Sequence, residues 1–156
     1  MKKLDNRGFT LTELIVVIAI LGILAGALTA SVGQIFSNQT RKFVNDCDAM
    51  LSRCRVETLS GAPANTRMEL RLDSDGHYYA AFYEGDTMMD EEQLKNKNVT
   101  CSYVTSGTDT PITESNALTI SFNRSTGAMN EPHTQINIGG QKITLVPTTG
   151  YHTIGG

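Results

Sequence analysis

From Leu14 to Leu28 every residue except Gly22 and Gly26 is Leu, Ile, Val or Ala. Such a run has no polar face to give to water, so as a helix it must be surrounded by lipid or by other helices. Counted from Phe9, the segment to Leu28 is twenty residues, which as a helix extend roughly 30 Å, the thickness of a bilayer core. Lys2, Lys3 and Arg7 precede it. By the positive-inside rule they hold the N-terminus in the cytoplasm and place the chain after Gly33 outside.

Glu13 interrupts this pattern near the start of the helix. A carboxylate there costs up to about 3 kcal/mol, less close to the interface, and calls for a partner. Cleavage after Gly8 would create one, because Phe9 would then carry a positive α-amine about one helical turn from Glu13. The amine of a neighbouring copy's Phe9 would neutralise Glu13 within a bundle of helices. Gly22-x-x-x-Gly26 would let those helices approach closely.

Gly8-Phe9-Thr10-Leu11-Thr12-Glu13, behind a short basic leader and ahead of an apolar run, resembles the class III signal of type IV prepilins and type II secretion pseudopilins. The resemblance implies that a membrane aspartyl peptidase cuts after Gly8, that Phe9 becomes a methylated N-terminus, and that Glu13 guides assembly. It also implies partners: other pilin or pseudopilin subunits, the prepilin peptidase, an inner-membrane assembly platform and the cytoplasmic membrane. Many members carry a proline about two thirds along this helix, where this chain has Leu28-Thr29-Ala30-Ser31. The kink that proline provides is therefore not implied here. An ordinary secretory signal peptide, cut near Ala25-Gly26-Ala27, is disfavoured by Glu13 and by the length of the apolar run. A plain single-pass anchor leaves Glu13 and the Gly-Phe junction without a reason.

Past Gly33 the apolar residues Ile35, Phe36, Phe43, Cys47, Met50, Leu51 and Cys54 recur at helical spacing, while Asn38, Arg41, Lys42, Asn45, Asp48, Arg53 and Arg55 fill the other side. Ser60-Gly61-Ala62-Pro63 stops the helix. The period then becomes two: Met68, Leu70 and Leu72 alternate with charged residues, and Asp75-Gly76 marks a hairpin before Tyr78-Tyr79-Ala80-Ala81-Phe82-Tyr83. On a strand, Tyr78 and Phe82 share one face, and Tyr79 and Tyr83 the other. Gly85 to Asn98 reads as acidic and polar with a weak helical patch, and Thr105 to Asn116 as a loop. Val99, Cys101 and Tyr103 alternate between them. Leu118, Ile120 and Phe122, a turn at Asn123 to Gly127, Ile136 and Ile138, Gly139-Gly140, then Ile143 and Leu145 complete an expected antiparallel meander.

The expected fold is α+β and pilin-like. A long N-terminal helix, membrane-spanning in its first half and amphipathic in its second, packs on an antiparallel β-sheet. The segments are a leader at 1–8, a polymerisation helix at 9–32, its amphipathic continuation at 33–60 and an extracytoplasmic domain at 61–156. The stretches Leu118 to Gly127 and Ile143 to Gly150 are similar to the C-terminal sheet of H-type minor pseudopilins and their minor-pilin relatives.

Formal charge is −3. The first eight residues hold three cations against Asp5, so the remainder carries −5, and bulk nucleic-acid binding is unfavourable. Local patches at Arg41 and Lys42 or at Arg53 and Arg55 keep a DNA-binding role open. Cys47 and Cys54, two helical turns apart, are too distant to bond each other on a helix. Either one reaches Cys101, or all three are small apolar core residues, and the core reading is favoured. His77, His133 and His152 lack metal-ligand spacing, and Asp86, Asp90, Glu91 and Glu92 lack that of a calcium loop. No cofactor is called for and no enzymatic motif stands out. The chain reads as a structural subunit, a minor pilin or pseudopilin of a pilus, secretion or DNA-uptake filament. A major pilin and a filament-tip receptor or adhesin are the alternatives.

Overall fold

The computed structural model describes residues 10–61 and 65–155, with side chains for all of these except 27–36. Helix α1, Leu11–Ser60, begins in one compact unit that ends at Ser37 and continues into a second that starts at Asn38. In the first unit every described side chain from Thr10 to Gly26 is exposed. Leu14, Ile18, Leu21 and Leu24 among them leave more than half of their surface uncovered, a length of apolar helix that this chain alone does not bury.

In the second unit α1 turns one stripe inward. Phe43, Val44, Cys47, Met50, Leu51 and Cys54 are buried, recurring every three or four residues as one helix face requires. Ile35 and Phe36, expected on the same face, have side chains outside the described ones. The helix ends where expected, at Ser60, and Gly61 follows with φ of +88°, the left-handed conformation that glycine adopts most cheaply at a helix end.

Strands β1 (Thr66–Leu72), β2 (Tyr78–Glu84) and β3 (Thr87–Leu94) form successive antiparallel pairs, and β6 (Leu118–Ser121) returns to the other side of β1. The first sheet thus has the order β3-β2-β1-β6. Met68, Leu70, Phe82, Leu118 and Ile120 enter the core from it. Tyr78 and Phe82 are buried as the alternation requires, while Tyr79 and Tyr83 lie on the outer face beneath the guanidinium groups of Arg71 and Arg67. At the edge, the β2–β3 register shifts between Phe82 and Tyr83, leaving Met89 unpaired.

The second sheet has the order β5-β4-β7-β8-β9, from β4 (Cys101–Thr105), β5 (Thr108–Pro111), β7 (His133–Ile138), β8 (Gln141–Val146) and β9 (Tyr151–Gly155). Cys101, Ile136, Ile138, Ile143 and Leu145 join the same hydrophobic cluster as the α1 stripe. Gly139-Gly140 closes β7 onto β8 with positive φ at both positions, as a two-residue hairpin requires.

Four expectations are corrected. The strands form two sheets and not one meander, because β6 pairs with β1 across a long sequence separation. The acidic segment expected to hold a helical patch is strand β3, with Asp90, Glu91 and Glu92 paired to Arg53, Arg71 and Lys42. The expected loop at Thr105 to Asn116 holds a hairpin, turned by Ser106 and Gly107, both with positive φ. Beyond Pro147 the chain adds a further strand, β9.

The turn at 123–127 and the turn at 147–150 meet over the last turns of α1. A Cβ on Gly150 would lie 1.9 Å from the Gly127 carbonyl oxygen and 3.1 Å from Arg55 Nε. Arg55 donates from Nη2 to the Thr149 carbonyl at 3.0 Å, and Leu59 packs against Gly127. Gly150 also has φ of +67°. Gly150→Ala should therefore cost about 3 kcal/mol, through a backbone collision added to conformational strain. Gly107→Ala, also at positive φ but with open space around it, should cost about 1 kcal/mol. Chemical denaturation of the two variants measures the difference.

Candidate assembly site

Glu13 lies in the first turn of α1 and has a partner within its own chain. Its Oε2 accepts hydrogen bonds at 2.8 Å from both the backbone N–H and the hydroxyl of Thr10, and its own N–H donates to Thr10 Oγ1 at 3.2 Å. This is a reciprocal capping box, in which Thr10 is the cap and Glu13 the residue three further on. The Leu14 N–H then donates to the Thr10 carbonyl at 3.2 Å and begins the helical ladder.

The Thr-x-x-Glu spacing was visible in the sequence and carries this meaning without any neighbour. Glu13 thus needs no second chain in order to be hydrogen-bonded, although its charge remains uncompensated by any cation among the described residues. The box also fixes where the carboxylate points: back toward the helix start, where charge on the preceding residue would be felt most strongly. Gly8 and Phe9 lie outside the described residues.

Gly22 and Gly26 stand one helical turn apart on α1, and a Cβ added at either meets nothing within 4 Å. A glycine at each position keeps the helix surface low there, which suits the close approach of another helix. Among the described residues no helix is long and apolar enough to cross a membrane. The described side chains of the apolar run stop at Gly26, two residues short of its end at Leu28.

The candidate basic patches are largely committed within the chain. Lys42 bonds Asp46 at 2.8 Å and approaches Glu92 at 3.4 Å, and its ammonium is held above the usual lysine range chiefly by the Asp46 bond. Arg53 pairs with Glu57 at 2.7 Å and lies 3.8 Å from Asp90, with its guanidinium 4.3 Å from the Phe82 ring centroid. Arg55 is engaged by the Thr149 carbonyl. Arg41, the remaining member of these patches, is exposed.

The three histidines are separated. His77 lies 3.2 Å from Asp75, His133 bonds Thr105, and His152 bonds Ser52 on α1. No group of three or more metal-ligating side chains converges among the described residues. Two clefts of about 150 and 180 Å³ run along the seam of α1 and β3, sharing Asp46 and Glu92 in their walls. Both are smaller than ordinary small-molecule sites.

Residues 3–29 match the family described as the prokaryotic N-terminal methylation motif. Neither the curated proteins nor the solved structures gave a match. The motif supports the type IV pilin and pseudopilin family, and with it prepilin peptidase cleavage and N-terminal methylation. The matched span contains Glu13, Gly22 and the start of α1.

Loss of the cap should be local. Thr10→Ala should weaken the helix start by about 1 kcal/mol, seen as faster amide hydrogen exchange at residues 11–14, while exchange in the β-sheets stays unchanged.

Proposed function

We propose that the chain is a minor structural subunit of a type IV pilus or of a related type II secretion or DNA-uptake filament. The methylation motif at residues 3–29 carries this reading. It points to a pilin-type structural subunit, one that is anchored in a membrane before it joins a filament. The chain crosses the cytoplasmic membrane once, through residues 9–32, with its C-terminal domain outside the cytoplasm.

Prepilin peptidase cuts after Gly8, and Phe9 becomes the methylated N-terminus. Glu13, held by Thr10 toward the helix start, receives the positive amine of a neighbouring subunit's Phe9. Gly22 and Gly26 allow the apolar helices to stack closely. The exposed apolar side chains of Thr10 to Gly26 exchange lipid for neighbouring helices, so extraction into the filament leaves no apolar rod in water. The minor role is favoured by the likeness of the C-terminal stretches to H-type subunits and by the presence of only Cys101 in the β-rich domain, too few cysteines to close a loop within that domain. The ion-paired state of Lys42 and Arg53 favours a structural role over DNA capture.

Substitutions at Glu13 separate charge from capping. Glu13→Gln keeps the hydrogen bonds of the capping box and removes the charge, while Glu13→Ala removes both. Both variants should insert in the membrane normally yet enter filaments roughly tenfold less well than wild type, measured by immunoblot of sheared filaments. If Glu13→Gln assembled at the wild-type level, charge neutralisation would not be what Glu13 supplies. Mass spectrometry of processed wild type should find an N-methylated Phe9, and a low abundance relative to the main filament protein would identify a minor subunit.

A further inference from the structure

We propose that β9 is a dimerisation edge, along which the domain pairs with β9 of a second copy of this chain. Each sheet ends in two edge strands. Among the described residues, three of these edges are closed by devices that prevent pairing with other chains. β3 has a shifted register and carboxylates tied to Lys42, Arg53 and Arg71. In β6 the Ser121 N–H donates to Glu131 at 2.8 Å, and the Ser121 carbonyl accepts from the Asn130 N–H at 3.0 Å. β5 is four residues long and ends in Pro111, whose carbonyl accepts from Asn116 at 2.9 Å. β9 has none of these devices. It pairs with β8 in unbroken register from Tyr151 to Gly155 and carries no Asp, Glu, Lys, Arg or Pro. Its Tyr, Thr and Ile residues favour a strand.

The strand is also complementary to itself. An antiparallel two-fold pairing centred on Thr153 sets Thr153 against its counterpart, His152 against the partner's Ile154 and Tyr151 against the partner's Gly155. Residues of the same parity then oppose one another, so the outer face of one sheet continues as the outer face of the next. No like charges meet across the pair. Tyr151 is 57% and Ile154 38% exposed at this edge, apolar surface that a further strand would cover.

Charge adds a second match. Lys142 pairs with Gly155 in the β8–β9 ladder, and its stem already lies over that glycine: a Cβ there would stand 3.2 Å from Lys142 Cε and 3.5 Å from Cγ. The stem thus leans from β8 across β9, toward the free edge. In the paired sheet the next residue of that row is the partner's Tyr151, two strand spacings or roughly 10 Å from the Lys142 backbone. The ammonium can then meet the face of that ring. Two-fold symmetry makes the contact twice. Because both β9 edges are used, association closes at two copies and does not propagate.

Nothing in this pairing depends on the filament reading, since it involves only the domain from Asn38 onward and no processed N-terminus. Full-length protein in detergent micelles is prepared as Thr153→Cys and, for comparison, as Glu114→Cys, which lies exposed in the turn after β5. Each is oxidised mildly and mapped by non-reducing electrophoresis and peptide mass spectrometry. Thr153→Cys should give a dimer joined symmetrically at position 153, in about tenfold the yield of the Glu114→Cys dimer, because facing strand positions lie within disulfide reach. In the wild-type chain, the amides of residues 151–155 should exchange roughly tenfold more slowly in concentrated than in dilute protein. Thr153→Lys sets two cations against each other and should remove that difference while leaving the unfolding midpoint unchanged. Equal cross-linking at the two positions, the result expected if copies associate through the apolar helix alone, would overturn the proposal. So would exchange at 151–155 that is independent of concentration. Protection of these amides without the symmetric cross-link would assign the edge to a different occupant and overturn it as well.

Discussion

The domain beyond residue 38 depends on a single stripe of α1. Both sheets send side chains into the one cluster that contains Phe43, Val44, Cys47, Met50, Leu51 and Cys54. A sheet with one apolar face must bury it against another element, and here both sheets use the same helix. Each fully buried Leu or Phe in such a cluster contributes about 2 kcal/mol through removal of apolar surface from water. The stripe is therefore the shared floor on which both sheets stand, and the C-terminal turns reach back through Arg55 and Leu59 to the end of that helix.

The same helix carries two different solvent preferences along its length. From Leu14 to Gly26 its described side chains are apolar and exposed, and from Phe43 to Cys54 the buried residues fall on one inward stripe. This division follows from composition alone: a uniform apolar run suits lipid or neighbouring helices, and a striped run suits a domain. The capping box at its start adds a local reason for Glu13 that operates within one chain. An acidic residue at that position suits the helix end in the single chain, and in the proposed filament it would also suit a neighbour's positive amine.

Elements governed by local periodicity were the legible ones. The end of α1, the β1–β2 and β7–β8 hairpins and the burial of Tyr78 and Phe82 all follow from spacing and turn chemistry. Strand β3 was not legible, because Asp90, Glu91 and Glu92 read as solvated loop residues until α1 and β1 supply Lys42, Arg53 and Arg71 as partners. Strand β5 has no apolar alternation and is held by its backbone pairing to β4. The return of β6 to β1 is a long-range choice that no local pattern encodes. At the candidate site, the leader and the spacing of the charge single out Gly8, Phe9 and Glu13 as expectations, whereas the Thr10–Glu13 box lies within one chain and answers to a different pattern, Thr-x-x-Glu ahead of an apolar run.

The outer edge of β3 bears on how a subunit of this kind avoids the wrong polymer. Edge strands invite pairing with other chains, and a filament subunit crowded in a membrane meets copies of itself constantly. Here the edge carries an irregular register at Met89 and the carboxylates Asp90, Glu91 and Glu92, each tied to a cation on α1 or β1. Two such edges brought together would mismatch their ladders and have to break into those ion pairs. Growth of a cross-strand fibre is thereby discouraged, and in the proposed filament the apolar helix, not this edge, would be left as the adhesive element.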